Sequence, residues 1–155
     1  MLRGYLGILV AWAIMLPQHV LAQPTSMTID GEFEGCEFDR VYPLVGGGIL
    51  ICQEYNYEYD FAPTVIIVDT SHVVIGKRLY SASVVPGKLI KTRVNGAFDG
   101  CDFDKIVALL NGLLFQCRMY HYHYAYQPEV KIFVFKSSFK VYIDGEEYQG
   151  TFLKR

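Results

Sequence analysis

The chain has 155 residues and a formal net charge of −2 at pH 7, with 52% hydrophobic and 15% aromatic residues. This content of apolar side chains is enough for a buried core, which excludes an intrinsically disordered chain. The nearly neutral charge provides no basic stripe and no polybasic patch, so nucleic acid is excluded as an expected partner.

The N-terminus predicts a cleaved signal peptide over residues 1–22. Arg3 precedes an uncharged apolar run, residues 6–16, which Pro17 ends. Ala22 supplies the small residue expected before a cleavage site. The alternative is a retained membrane anchor, but a spanning helix needs about 20 apolar residues and this run is about half as long. We therefore expect a secreted or periplasmic protein with no membrane span in its mature chain.

The rest of the chain matches itself without a gap when it is shifted by 65 positions. Fifteen of the thirty-nine residues in 29–67 are identical to their partners in 94–132. This match predicts a tandem duplication of a β-unit, with repeat 1 in residues 23–86 and repeat 2 in residues 87–155. A turn signal, Pro86-Gly87, marks the boundary. The arrangement is either two small units packed together or one fold with a pseudo-two-fold axis.

An all-β, antiparallel architecture is predicted for both repeats, each with five or six short strands, enough for a small barrel or sandwich. In repeat 1, residues 55–61 alternate, and Gly76 centres a hairpin over residues 73–80. In repeat 2, the order is a hairpin with a two-residue turn at Asn111-Gly112, an alternating strand over residues 120–126, a strand over residues 130–135 and a closing hairpin with its turn at Asp144-Gly145.

Four cysteines remain after residue 22, and an even number in an exported chain predicts disulfide bonds. The interval between Cys36 and Cys52 recurs between Cys101 and Cys117. Pairing within each repeat is favoured over crossed pairing, because a duplication carries a closed unit with it. Each such bond is expected to stabilise the fold by about 3 kcal/mol in the chain-entropy model.

Tyrosines at every second position are the most distinctive side chains of the sequence. An extended strand directs alternate residues to one face, so each repeat has an aromatic face. We expect these rings to pack in the core, and the alternative is a ligand-binding platform for a sugar, a peptide or a protein. The residues of this candidate ligand face are Tyr55, Tyr57, Tyr59, Tyr120, Tyr122, Tyr124 and Tyr126, and Phe61 continues the first series.

His121 and His123 lie two positions apart in the second aromatic strand, so both are predicted to point to the opposite face from the tyrosines. Two imidazoles can begin a zinc or copper site, but the sequence indicates no third ligand. Asn56 and Glu58 stand at the matching positions of repeat 1. The sequence therefore favours a solvated polar face over a metal site, and no cofactor is expected.

Two polar clusters have a functional and a structural interpretation. A set of carboxylates could bind Ca²⁺, but its spacing differs from that of known calcium loops, so turn and capping roles are favoured. Asp69-Thr70-Ser71-His72 contains the residue types of a hydrolase triad, but such groups normally converge from separated positions. We read it as a turn. The carboxylates of the first set are Glu34, Glu37, Asp39, Asp99, Asp102 and Asp104.

The absence of a known catalytic motif favours a non-enzymatic binding or structural module whose partner is a protein or an envelope polymer. Two alternatives stay open. The first is a periplasmic metal-binding protein that uses His121 and His123, and the second is a hydrolase with an unfamiliar site.

Overall fold

A computed structural model describes residues 25–153 of the chain. The predicted signal peptide, residues 1–22, lies outside the described residues. Every regular element of the described part is a β-strand, and every paired strand is antiparallel, as the sequence predicts. No helix long and apolar enough to cross a membrane occurs in this part of the chain.

The described residues form seventeen strands joined by turns and by longer irregular segments. We refer to residues 25–86 as the first half and to residues 87–153 as the second half. The strands of the first half are β1 (Ser26–Thr28), β2 (Glu32–Phe33), β3 (Val41–Pro43), β4 (Ile49–Cys52), β5 (Asp60–Phe61), β6 (Thr64–Ile67), β7 (His72–Ile75) and β8 (Arg78–Val85). Those of the second half are β9 (Gly87–Arg93), β10 (Ala97–Phe98), β11 (Ile106–Ala108), β12 (Leu114–Cys117), β13 (Ala125–Tyr126), β14 (Glu129–Phe135), β15 (Ser138–Ile143), β16 (Glu146–Tyr148) and β17 (Gly150–Phe152).

The two halves arrange their strands in similar ways. The first half forms a sheet in the order β1-β6-β7-β8-β4-β3 and a small ribbon, β2-β5. The second half forms the sheets β16-β15-β14-β9 and β11-β12-β17 and the ribbon β10-β13. In the first half, the long strand β8 pairs with both β7 and β4. In the second half, two short strands take its place: β16 pairs with β15, and β17 pairs with β12.

The sequence predicts two-residue turns in two hairpins, and the structure confirms one of these turns and corrects the other. Ile143 pairs with Glu146, and both intervening residues, Asp144 (φ 53°) and Gly145 (φ 89°), have the positive φ of a type I′ turn. At Asn111-Gly112 the loop has three residues instead of two, because the Leu109 amide bonds the Leu113 carbonyl at 2.9 Å. The positive φ of Gly112, 85°, is typical of a type I turn followed by a left-handed glycine.

The aromatic segments are less regular than predicted. Only the last two residues of each predicted strand, β5 and β13, form a ladder. The preceding residues are held by isolated bridges, Cys36 with Asn56 and Cys101 with His121. The prediction of full strands over residues 55–61 and 120–126 is therefore wrong.

Each half has its own hydrophobic core. Phe33, packed against the rings of Tyr42 and Tyr80, is the centre of the first core. In the second core, Phe98 packs edge to face on Tyr148, at a centroid distance of 5.5 Å. The aromatic pair Phe33–Tyr80 has the same geometry at 5.7 Å. All these rings are buried and lie on the inner side of the strands.

A third, smaller cluster joins the two halves. Val41 and Ile49 of the first half pack with Phe133 of the second half and with Val85 at the end of β8. Gly87 begins β9 directly after Pro86, and a Cβ atom there would lie 2.6 Å from the Ile49 side chain and 2.8 Å from the Val134 carbonyl oxygen. The junction thus depends on a residue without a side chain.

The cysteines form the two pairs that the spacing predicts. Cys36 is bonded to Cys52 and Cys101 to Cys117, with Cα–Cα distances of 5.3 and 5.7 Å and a sequence separation of 16 in both cases. All four residues are buried. The bonds connect the aromatic ribbon of each half to the neighbouring sheet, since Cys52 and Cys117 end β4 and β12.

Candidate binding surface

Eight aromatic side chains form two exposed series, one in each half. We name them stripe 1 (Tyr55, Tyr57, Tyr59, Phe61) and stripe 2 (Tyr120, Tyr122, Tyr124, Tyr126). Each of the eight residues is 60–80% exposed to solvent. The expectation that the tyrosines pack in the core is therefore wrong, and the stripes are the largest regular set of exposed apolar groups among the described residues.

The bridges decide which face of each segment points inward. Asn56 exchanges two backbone hydrogen bonds with Cys36, both 2.7 Å long, and His121 exchanges two with Cys101, at 2.8 and 3.0 Å. Residues that face each other in an antiparallel pair share one face of the ribbon, so Asn56 follows the buried Cys36 inward. The tyrosines on either side must then point to solvent.

Two glycines allow the close approach of the ribbon strands. Gly35 and Gly100 have positive φ angles of 83° and 88°. A Cβ atom on Gly35 would overlap the carbonyl oxygen of Asn56, and one on Gly100 would overlap that of His121. The absence of a side chain at Gly35 and Gly100 thus lets each stripe segment lie directly against the backbone of the facing segment.

Each half also exposes a phenylalanine outside the stripes. Phe38 and Phe103 are exposed beside Asp39 and Asp104, whose φ angles are 64° and 63°. The amides of both aspartates donate to the carbonyl of the second cysteine of the disulfide, at 3.0 Å. Positive φ at a non-glycine residue marks a tight turn, and aspartate tolerates it better than most residues.

The acidic residues near the stripes are used in ion pairs and turns. Glu34 pairs with Arg40 at 2.6 Å, and Asp99 pairs with Lys105, which lowers the pKa of the Asp99 carboxyl group. Asp102 accepts a hydrogen bond from the amide of Phe103, 2.8 Å away. Among residues 25–153 no three His, Cys, Asp or Glu side chains form a group able to hold a metal ion.

The two histidines share the inner face of stripe 2, where they meet buried aromatic rings. His121 packs edge to face on Tyr148 at 5.1 Å, and His123 lies 6.4 Å from the Phe98 ring centroid. The Nε2 atom of His123 is 2.7 Å from Asp144 Oδ2. Both imidazoles are half-buried, so the expected solvated face is only partly correct. Their neighbours explain their positions without a metal ion.

One difference between the halves concerns the buried tyrosines. The Tyr80 hydroxyl donates to the Glu58 carboxylate, whereas the Tyr148 hydroxyl is buried with no hydrogen-bond partner among the described residues. His123 stands where the first half has Glu58, and its ring bonds Asp144 instead. Burial, helped by the Glu146 and Asp144 carboxylates, raises the pKa of Tyr148 to about 12.

Replacing Tyr148 with phenylalanine is expected to leave the free energy of unfolding unchanged or to raise it by up to about 1 kcal/mol, because an unpaired buried hydroxyl is removed. The matched change Tyr80→Phe should lower it by about 1 kcal/mol, since the hydrogen bond to Glu58 is lost. Urea unfolding followed by circular dichroism measures both. Equal losses for the two variants would show that the Tyr148 hydroxyl is paired in solution.

The Asp69-to-His72 segment is a turn, as expected, but its side chains do meet. Asp69 Oδ1 accepts the Ser71 amide at 2.8 Å, and His72 Nδ1 lies 2.9 Å from Asp69 Oδ2 and 3.2 Å from Ser71 Oγ. These contacts lower the pKa of Asp69, the Ser71 amide most of all. In a hydrolase triad the two ring nitrogens of histidine bond different partners, whereas here one nitrogen faces both.

A cleft of about 470 Å³ lies between the two halves. Tyr42 and Arg40 line it from the first half, and Phe133, Tyr142 and Lys131 line it from the second. Burial and the nearby Glu147 carboxylate raise the pKa of Tyr142, whose hydroxyl donates to Glu147 at 3.1 Å. Sequence reasoning missed this cleft because no single segment contains its residues.

Comparison with known proteins gives no further information about these surfaces. No protein-family model matches the chain, no curated protein is significantly similar to it, and no solved structure matches its fold significantly.

Proposed function

We propose that the protein is an exported, non-enzymatic binding module built by tandem duplication, which contacts a protein or an envelope polymer through stripe 1 and stripe 2. The observation that carries this proposal is the exposure of eight aromatic side chains at matching positions of the two halves. Exposed aromatic surface of this extent is uncommon on monomeric proteins and typical of interaction sites.

Tyrosine suits this role chemically. Its ring offers a large rigid apolar surface, and its hydroxyl group bonds polar partners, with little conformational entropy to lose on binding. Adjacent rings of an extended segment are about 7 Å apart, because each residue advances the chain by about 3.4 Å. A stripe of four rings therefore spans about 20 Å, which suits an extended or filamentous partner.

The duplication and the export are parts of the same proposal. The internal sequence match, the equal disulfide loops and the matched φ angles of Asp39 and Asp104 support a repeated unit. Disulfide bonds are typical of chains folded in an oxidising compartment, in agreement with the signal peptide that residues 1–22 predict. Two similar surfaces on one chain would bind a repetitive partner more tightly than one.

Removing the rings of both stripes is expected to weaken binding at least about tenfold, because central aromatic residues dominate interface energies. The test variant replaces six of the eight stripe residues with serine, namely the tyrosines at positions 55, 57, 59, 120, 122 and 124. Phe61 and Tyr126, which end the two stripes inside β5 and β13, are kept. Binding is measured by co-sedimentation with insoluble peptidoglycan, chitin and cellulose, and by crosslinking in an envelope fraction.

The control is the variant Val45→Ser/Leu110→Ser. These two exposed apolar residues also stand 65 positions apart and lie outside the stripes. It should bind like the original protein. Equal binding by the stripe variant and the original protein on every probe would refute the proposed function, provided that circular dichroism shows both to be folded.

A further inference from the structure

The two segments that carry the stripes differ in the charge of their other residues. The segment of stripe 1, residues 53–61, holds Glu54, Glu58 and Asp60 and no basic residue. The segment of stripe 2, residues 118–126, holds Arg118 and two histidines and no acidic residue. The aromatic positions are retained, whereas the charges between them are not: the first segment is acidic, and Arg118 is the one formally charged side chain of the second at pH 7.

Several backbone amide and carbonyl groups of both segments make no backbone hydrogen bond within residues 25–153. Tyr55, Tyr57 and Tyr59 take part in no backbone hydrogen bond within residues 25–153, and neither do Tyr120, Tyr122 and Tyr124. Their neighbours Asn56 and His121 use the inner edge. A strand with unpaired amide and carbonyl groups can accept another strand beside it.

We propose that a second copy of this chain occupies these surfaces, with stripe 1 of one molecule docked on stripe 2 of the next. This inference rests on the proposed function, since it names the partner of the same stripes. Opposite charges favour the pairing of unlike stripes, whereas two copies of stripe 1 would place carboxylates against carboxylates. Tyrosine-to-tyrosine contacts supply the apolar area.

Contact between unlike surfaces leaves one stripe of each kind free at the two ends of a dimer. Such heterologous association continues into an open filament unless the rotation between successive molecules closes a ring. The protein should therefore form a series of oligomers that grows with concentration. Because the contact joins charged strands, added salt should shorten the series.

Two single-stripe variants test the polarity of the contact. Variant A replaces Tyr55, Tyr57 and Tyr59 with serine and keeps stripe 2, and variant B replaces Tyr120, Tyr122 and Tyr124 with serine and keeps stripe 1. Sedimentation velocity should show A alone and B alone as monomers, and their mixture as a one-to-one dimer. The original protein should form larger species under the same low-salt conditions.

A charge reversal tests the electrostatic argument. Arg118→Glu in variant A should weaken its binding to variant B about tenfold, because an attractive contact becomes repulsive. Lys88→Glu, which reverses an exposed charge in β9 outside the stripe segments, is the control and should leave the affinity unchanged. Equal effects of the two reversals would overturn the role assigned to Arg118.

Three results would overturn the proposal: a monomeric original protein at all concentrations, a dimer of B alone, or a dimer of A alone. The co-sedimentation and crosslinking experiment separates this failure from that of the proposed function. A monomeric protein that still loses envelope binding when both stripes are removed would bind a foreign partner, so the stripes would remain binding surfaces.

Discussion

Replacing Gly100 with alanine is expected to destabilise the second half by about 3 kcal/mol, since it combines a strained backbone with a backbone overlap. The φ angle of 88° disfavours any residue with a side chain. The added methyl group would also overlap the His121 carbonyl oxygen and lie 2.8 Å from the backbone nitrogen of His123. The ribbon must then open, which moves stripe 2. Urea unfolding followed by circular dichroism measures the change.

Gly96→Ala is the matched control for this substitution. Gly96 also has a positive φ, 108°, but no atom lies within 4 Å of its ideal Cβ position. Its cost is limited to backbone strain, about 1 to 2 kcal/mol. If both variants lose the same stability, the close approach of Gly100 to the ribbon strand has no energetic importance.

Removing the second disulfide bond by Cys101→Ala/Cys117→Ala is expected to lower the free energy of unfolding by about 3 kcal/mol. The bond closes a loop with a sequence separation of 16 and thereby restricts the unfolded chain. The variant should lose this stability as a lower midpoint in urea. It should also bind less to the probes used for the stripes, because the ribbon that carries stripe 2 is less firmly held.

The variant Cys36→Ala/Cys52→Ala provides an internal comparison. Its loop has the same separation, so the loss of entropy in the unfolded state is the same and the first half should lose a similar amount of stability. Unchanged midpoints in both variants would mean that the bonds do not form in solution. Mass spectrometry of the unreduced protein would show this independently.

Local chemistry explains which elements the sequence predicts well. The closing hairpin is correct because Asp144-Gly145 has the two residue types that a type I′ turn requires. The same reasoning fails at Asn111-Gly112, where only the glycine adopts the left-handed conformation and the turn includes Leu110. A dipeptide identifies a turn more securely than it identifies the length of the loop.

Alternation alone could not predict whether the tyrosine face of each segment is buried or exposed. A period of two separates two faces but does not say which of them is buried. Apolar character favoured the tyrosine face, yet the bridge from Cys36 turns Asn56 inward, and Phe33, Tyr42 and Tyr80 already fill the core. This choice depends on contacts between distant segments, and so does the cleft between the halves.

The small cluster that joins the halves has a consequence for cooperativity. Val41, Ile49 and Phe133 are buried only as long as both halves are folded, because each half supplies part of the cover for the other. Unfolding one half would expose apolar groups of the other half. The half that stays folded would then be less stable than it is in the intact chain. Each half thus acts as a permanent ligand of the other, and neither has a stability that is entirely its own.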